Sequence, residues 1–199
     1  MKHLFILGIL TGSVYMDPDL LNNGFPAESI TNGSVIVVKT HEHGSDTFKK
    51  FDRAILLVRD PFTSILAEFN RRFAGHIGHA SVERFHRDER FRHDGGKYWR
   101  SSVKRMVAWW RKMNLAWFEG YSNRPGGLIV IAYEDLVRDP ESELSKVLNF
   151  LDVEVPEASM RCAMSHKEGI YKREKQKADN FPGFDPELAR AITVEKDVV

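Results

Sequence analysis

Three short apolar runs, at residues 35–38, 54–58 and 128–132, constrain what this chain can fold into more than any other feature. Each is four or five residues long, rich in Val, Ile or Leu, and flanked by polar or turn-forming residues. Strands buried on both faces of a parallel sheet look like this, although length alone leaves short buried helices open. Helical patterns lie between the runs. After Pro61, a natural first-turn residue, Phe62, Ile65, Leu66 and Phe69 recur at helical spacing. Trp99, Val103, Met106, Val107, Trp110, Met113 or Asn114, and Trp117 form one apolar stripe, an arrangement that ordinarily packs a core. Leu144, Val147, Leu148 and Leu151 repeat the pattern after Pro140. Strands alternating with helices predict an α/β fold with a mostly parallel sheet flanked by helices.

At 199 residues the chain reads as a single domain, 1–199, and its 42% apolar content argues against disorder. One cysteine, Cys162, rules out an intrachain disulfide framework. The net charge of +1 gives no overall drive toward nucleic acid, and none is expected as a partner. Residues 71–112 nevertheless hold twelve Lys/Arg against four Asp/Glu. That segment reads either as a solvated helix face or as a surface for an anionic partner. Residues 11–34, rich in Gly, Asn, Asp and Pro, read as a loop. At residues 1–10, Lys2 before a seven-residue apolar run has the outline of a signal peptide. The preferred alternative is the tail of a buried helix or a core strand.

Ligands of open parallel sheets bind beyond the carboxyl ends of the strands. After residue 38 comes Lys39-Thr40-His41-Glu42-His43; after 58, Arg59-Asp60-Pro61 opens a helix; after 132 comes Tyr133-Glu134-Asp135. Cations, a histidine and a tyrosine therefore collect along one edge. The helix beginning near Pro61 is expected to aim free backbone N–H groups there, which suits a phosphate. The sum is an anion-binding cleft with one candidate base.

Lys39-Thr40-His41, Arg59-Asp60-Pro61 and the stretch YEDLVRDPESELSKVLNFLDV from Tyr133 to Val153, in this order and at strand ends, resemble the sulfotransferase family. TGSVYMDPDLLNNGF, from Thr11, and AEFNRRFAGHIGHAS, from Ala67, are similar to the sulfotransferase region of WSC-domain-containing proteins. The similarity covers most of residues 11–151. It implies a phosphate-loop-type sulfotransferase fold that moves a sulfuryl group from 3′-phosphoadenosine 5′-phosphosulfate to a hydroxyl of a glycan or similar acceptor. By resemblance His41 is the base for the hydroxyl proton, a role that an imidazole with a pKa of about 6.5 suits. Lys39 would offset charge on the leaving oxygen, Arg59 would grip the 3′-phosphate, and Tyr133 would lie near the adenosine. His43 ranks second as base, Arg59 has pairing with Asp60 as its plain alternative, and Tyr133 has simple core packing.

The sequence departs from the family in two places. Relatives carry a phosphate-binding serine eight residues after the arginine, where this chain has Ala67; Ser64 is the candidate replacement. Relatives also begin with a strand and a Gly/Ser-rich phosphate loop, and nothing in residues 1–34 has that form. The expectation is a chain lacking its first strand, hence poorly stable, because neighbouring strands lose backbone partners. The competing function is a non-catalytic relative that binds an anionic glycan or protein partner through residues 71–112. Under the enzyme reading, Arg71, Arg72, Arg84, Arg87, Arg90 and Arg92 of that segment would border the acceptor site and attract an acidic substrate.

His76, His79, His86 and His93 match no metal-ligand spacing, so no metal is expected. Lys172, Arg173, Lys175 and Lys177 occupy the place of the family's cofactor-closing loop, or form a solvated segment. Asn32-Gly33-Ser34 is a glycosylation sequon, compatible with a lumenal protein. The resemblance implies a Golgi membrane or lumen location, with membrane attachment only through an N-terminal anchor that these residues do not contain. Acceptor identity and oligomeric state are not legible in the sequence.

Overall fold

A computed structural model describes residues 11–14, 16, 18, 22, 29–75, 78–81, 97–167 and 181–199. In chain order its elements are β1 (Thr11–Ser13), β2 (Val37–Lys39), α1 (Ser45–Phe48), β3 (Ala54–Val58), α2 (Pro61–Ala74) and α3 (Lys97–Tyr121). Then follow β4 (Leu128–Ala132), α4 (Tyr133–Arg138), α5 (Pro140–Leu151), α6 (Glu157–Ser165) and α7 (Pro186–Lys196). Both strand pairs, β1 with β2 and β3 with β4, are parallel, and α2 and α3 lie between β3 and β4, so the chain is an α/β protein. The described residues divide into two compact units: 11–43 with 138–167, and 44–137 with 181–199.

In the first unit, Thr11 sits opposite Val37 and Ser13 opposite Lys39, and the Val14 N–H donates to the Lys39 carbonyl at 3.1 Å. This corrects the reading of residues 11–34 as loop throughout. Thr-Gly-Ser carries no apolar alternation; its strand geometry comes from pairing with β2, and strand formation depends on such context more than on intrinsic preference. The observed β2 also begins two residues later than the apolar run, and Ile36 is half exposed. Helix α5 buries Leu144, Val147 and Leu148, three of the four stripe residues read from the sequence, while Leu151 at its end is half-buried. It stops at Asp152, which takes the left-handed conformation (φ 56°), and the Val153 N–H closes back on the Leu148 carbonyl at 3.0 Å.

In the second unit, β3 and β4 pair from Ala54 opposite Leu128 to Val58 opposite Ala132. The tryptophan stripe of α3 is core, as expected. Trp99, Val103 and Val107 pack with Ile65, Leu66 and Phe69 of α2 and Leu188 and Ile192 of α7. Further along α3, Trp117 and Tyr121 pack with Ala54 and Leu56 of β3. The buried Trp99 indole N–H donates to the Gly183 carbonyl at 2.7 Å, so its polar atom is not orphaned.

Among the described residues, three helices open on the same dipeptide. Asp60-Pro61, Asp139-Pro140 and Asp185-Pro186 each place an aspartate at the N-cap and a proline in the first turn. No helix among the described residues is long and apolar enough to cross a membrane. Residues 1–10, His76, His86, His93, Arg84, Arg87, Arg90, Arg92 and the basic run 172–177, all singled out in the sequence, lie outside the described residues.

Candidate functional site

Because β3 and β4 are parallel and in register, the residue after each strand lands at the same edge. Those residues are Arg59 and Tyr133. The Arg59 guanidinium carbon lies 4.4 Å from the Tyr133 ring centroid, a cation–π stack between residues far apart in sequence. The Arg59 Nε donates to Thr63 Oγ1 at 3.1 Å, which fixes the plane of the guanidinium. Its two terminal amino groups make no hydrogen bond among the described residues. The Arg59 carbonyl accepts from the Trp110 indole N–H at 2.9 Å and from Ser64 Oγ at 3.5 Å. The backbone behind the arginine is therefore tied to α3, while its charged end is presented.

Ser64 shares the site, with its hydroxyl turned toward the Arg59 carbonyl. Thr63, which sequence reasoning passed over, is the hydroxyl that touches the guanidinium. The only signal for it was its place one turn after the arginine on the helix.

The start of α2 corrects another expectation. Its leading N–H groups are not free: Asp60 Oδ1 accepts from Phe62 N at 3.0 Å and from Thr63 N at 3.2 Å. Asp60 does not pair with Arg59 instead; its other oxygen, Oδ2, accepts from Lys196 Nζ at 2.7 Å. The Asp60 N–H in turn donates to Glu134 Oε1 at 3.1 Å. An aspartate followed by proline is a strong capping signal, and the cap takes the donors a phosphate would have used. The Arg59 side chain remains the candidate anion ligand at this edge.

The first unit carries the other two candidates. Lys39 is the last residue of β2 and is exposed, and His41 follows two residues later. His41 has its pKa held below the ordinary imidazole value, first by partial withdrawal from water and second by the Lys39 charge. The ring still reaches solvent, so it favours the neutral form without being sealed off. A neutral imidazole near pH 7 is the form that accepts a proton. The intervening Thr40 braces this turn, its Oγ1 accepting from the Glu42 N–H at 2.9 Å. Among the described residues no three His, Cys, Asp or Glu side chains gather closely enough to hold a metal ion.

Comparison with known proteins adds a family and three relatives. The model of a family described as "Sulfotransferase family" matches residues 52–157, a stretch containing Arg59, Ser64 and Tyr133. WSCD family member CG9164 of Drosophila melanogaster is 47% identical over 179 residues, which is 90% of this chain and 52% of that protein. WSCD family member GA21586 of Drosophila pseudoobscura pseudoobscura is 46% identical over the same shares. WSCD family member AAEL009094 of Aedes aegypti is 43% identical over 192 residues, 96% of this chain and 57% of that protein. The chain thus spans about half the length of the curated relatives it matches.

Proposed function

Since this chain belongs to the sulfotransferase family, we propose that it transfers a sulfuryl group from 3′-phosphoadenosine 5′-phosphosulfate to a hydroxyl of a glycan or similar acceptor. The observation that carries the reading is Arg59 stacked on Tyr133 at the ends of two paired parallel strands, with its terminal amino groups unengaged among the described residues. That donor set fits a phosphate, which a guanidinium grips through two parallel charge-assisted hydrogen bonds.

The donor, when bound, supplies the activated sulfuryl group. Arg59 would hold its 3′-phosphate, with Ser64 as the second ligand once its hydroxyl turns from the Arg59 carbonyl. Tyr133 would flank the adenosine. His41 would take the proton from the acceptor hydroxyl as that oxygen bonds to sulfur. Lys39 would neutralise charge on the phosphate oxygen released as the sulfur–oxygen bond breaks. The lowered pKa of His41 supports its role, because it keeps the imidazole ready to accept. The family resemblance supports a Golgi location and a glycan or glycoconjugate partner.

Calorimetric titration with adenosine 3′,5′-bisphosphate tests the site directly. The chain should bind it, and Arg59→Ala should weaken binding by roughly 10- to 100-fold, the range for a lost charge-assisted contact. Equal affinity in the variant refutes the assignment of Arg59.

A further inference from the structure

The carboxyl edge of β3 and β4 holds more charge than the proposed reaction uses. Beside Arg59 stand two carboxylates. Asp60 caps α2, and Glu134 accepts the Asp60 N–H. Both are adjacent in sequence to the residues proposed to meet the nucleotide, and both oppose an arriving phosphate. Against them stands one further cation, Lys196, whose ammonium lies 2.7 Å from Asp60 Oδ2.

We propose that Lys196 is the built-in counter-ion of this anion seat. It offsets one of the two negative charges of the Asp60–Glu134 pair, so that Arg59 is not outweighed where the phosphate arrives, and it acts as a positioning residue rather than a ligand. The inference rests on the reading of Arg59 given above. With Lys196 in place the four side chains Arg59, Asp60, Glu134 and Lys196 sum to zero; without it they carry a net negative charge.

The rest of the second unit holds this lysine in position. Lys196 is the last residue of α7, where a cation also meets the negative end of the helix dipole. Helix α7 is seated by Leu188 and Ile192 in the core, and it is pinned to α3 by Arg100–Glu187 at 2.7 Å and Arg111–Glu195 at 2.9 Å. The ammonium is therefore delivered to Asp60 by a fixed helix. Its proton is held more tightly than usual, first by the hydrogen bond to Asp60, with the Asp60, Glu134 and Asp197 charges adding to it. Lys196 thus stays charged throughout the range in which the protein would work.

The test is titration of the full chain with adenosine 3′,5′-bisphosphate at low and high ionic strength. Lys196→Met should weaken binding about three- to tenfold at low salt, the size of one screened unit charge at a partly solvated edge, and the gap should shrink as salt rises. Lys196→Arg should bind like the parent. Adding Asp60→Asn to Lys196→Met should restore affinity, because asparagine still caps α2 but no longer repels the phosphate. A lysine that only pinned α7 would not be rescued by removing a carboxylate.

Unchanged low-salt affinity in Lys196→Met, with Arg59→Ala still weakening binding as expected, overturns this inference alone. So does a double variant weaker than Lys196→Met, or an arginine variant that fails to restore binding. No binding by the parent chain, or full binding by Arg59→Ala, overturns the Arg59 reading and this inference with it.

Discussion

Replacing Asp60 with alanine separates its two jobs energetically. The carboxylate accepts from Phe62 N and Thr63 N at 3.0 and 3.2 Å and pairs with Lys196 at 2.7 Å. Loss of an N-cap costs about 1 kcal/mol, within a range of roughly 0.5–2. The ion pair adds less, because the Lys196 side chain is 49% exposed and solvent screens it; about 0.5 kcal/mol is the scale of such pairs. Asp60→Ala should therefore destabilise the chain by about 1.5 kcal/mol. Asp60→Asn, which retains the cap but not the charge, should cost about 0.5 kcal/mol. Urea unfolding resolves the two as shifts in midpoint at unchanged slope. Raising the salt should erase most of the asparagine effect and little of the difference between the variants. If the asparagine variant falls as far as the alanine variant, Asp60 is not acting as a cap and the account of the α2 start is wrong.

Two further outcomes follow from the first unit. His41, with its pKa below the ordinary imidazole value, should give a sulfuryl-transfer rate that is flat above pH 7 and falls on the acid side, the limb lying below about 6.5. The stability sign agrees, since the unfolded chain binds the proton more readily and stability drops as pH falls through that window. A limb above pH 7, or one that persists in His41→Gln, would exclude His41 as the base. Asn32 and Ser34 are exposed, and Asn32 Oδ1 accepts from Ser34 N at 3.1 Å and Ser34 Oγ at 2.6 Å. When the chain is directed through a secretory pathway, Asn32 should carry a glycan, visible as a glycosidase-sensitive mobility shift absent from Asn32→Gln. Absence of the shift in a secreted chain would count against this sequon being used.

Much of the second unit was legible because its signals are local. The runs at 54–58 and 128–132 are strands, and two strands of equal length in parallel register bring Arg59 and Tyr133 together without further information. The α3 stripe was legible for the same reason: Trp99, Val103, Val107 and Trp117 fall on one face at helical periodicity and are buried. Strand β1 was not, because Thr-Gly-Ser takes its conformation from a partner rather than from its own pattern. Helix α7 announces itself with Asp185-Pro186, the same opening as α2 and α5, yet the sequence reading passed over it. With α7 unread, Lys196 was invisible, since nothing in a sequence joins residues 136 positions apart. The α2 start went astray for a different reason. The capping aspartate was in plain view, but its hydrogen bonds were assigned to a ligand instead of to itself.

The stacking of Arg59 on Tyr133 also makes the site a witness to the integrity of its unit. The two residues are separated by the whole stretch containing α2 and α3, the same 74-residue spacing as the Asp60–Glu134 bond. Closing a loop of that size costs about 4 kcal/mol of chain entropy before any local contact compensates. The arginine and the tyrosine can therefore meet only when β3, α3 and β4 are already assembled. A nucleotide that recognises the pair would bind folded chains alone and raise the unfolding temperature with its concentration. Any nick or local opening between the two strands would silence binding before it erased the helices.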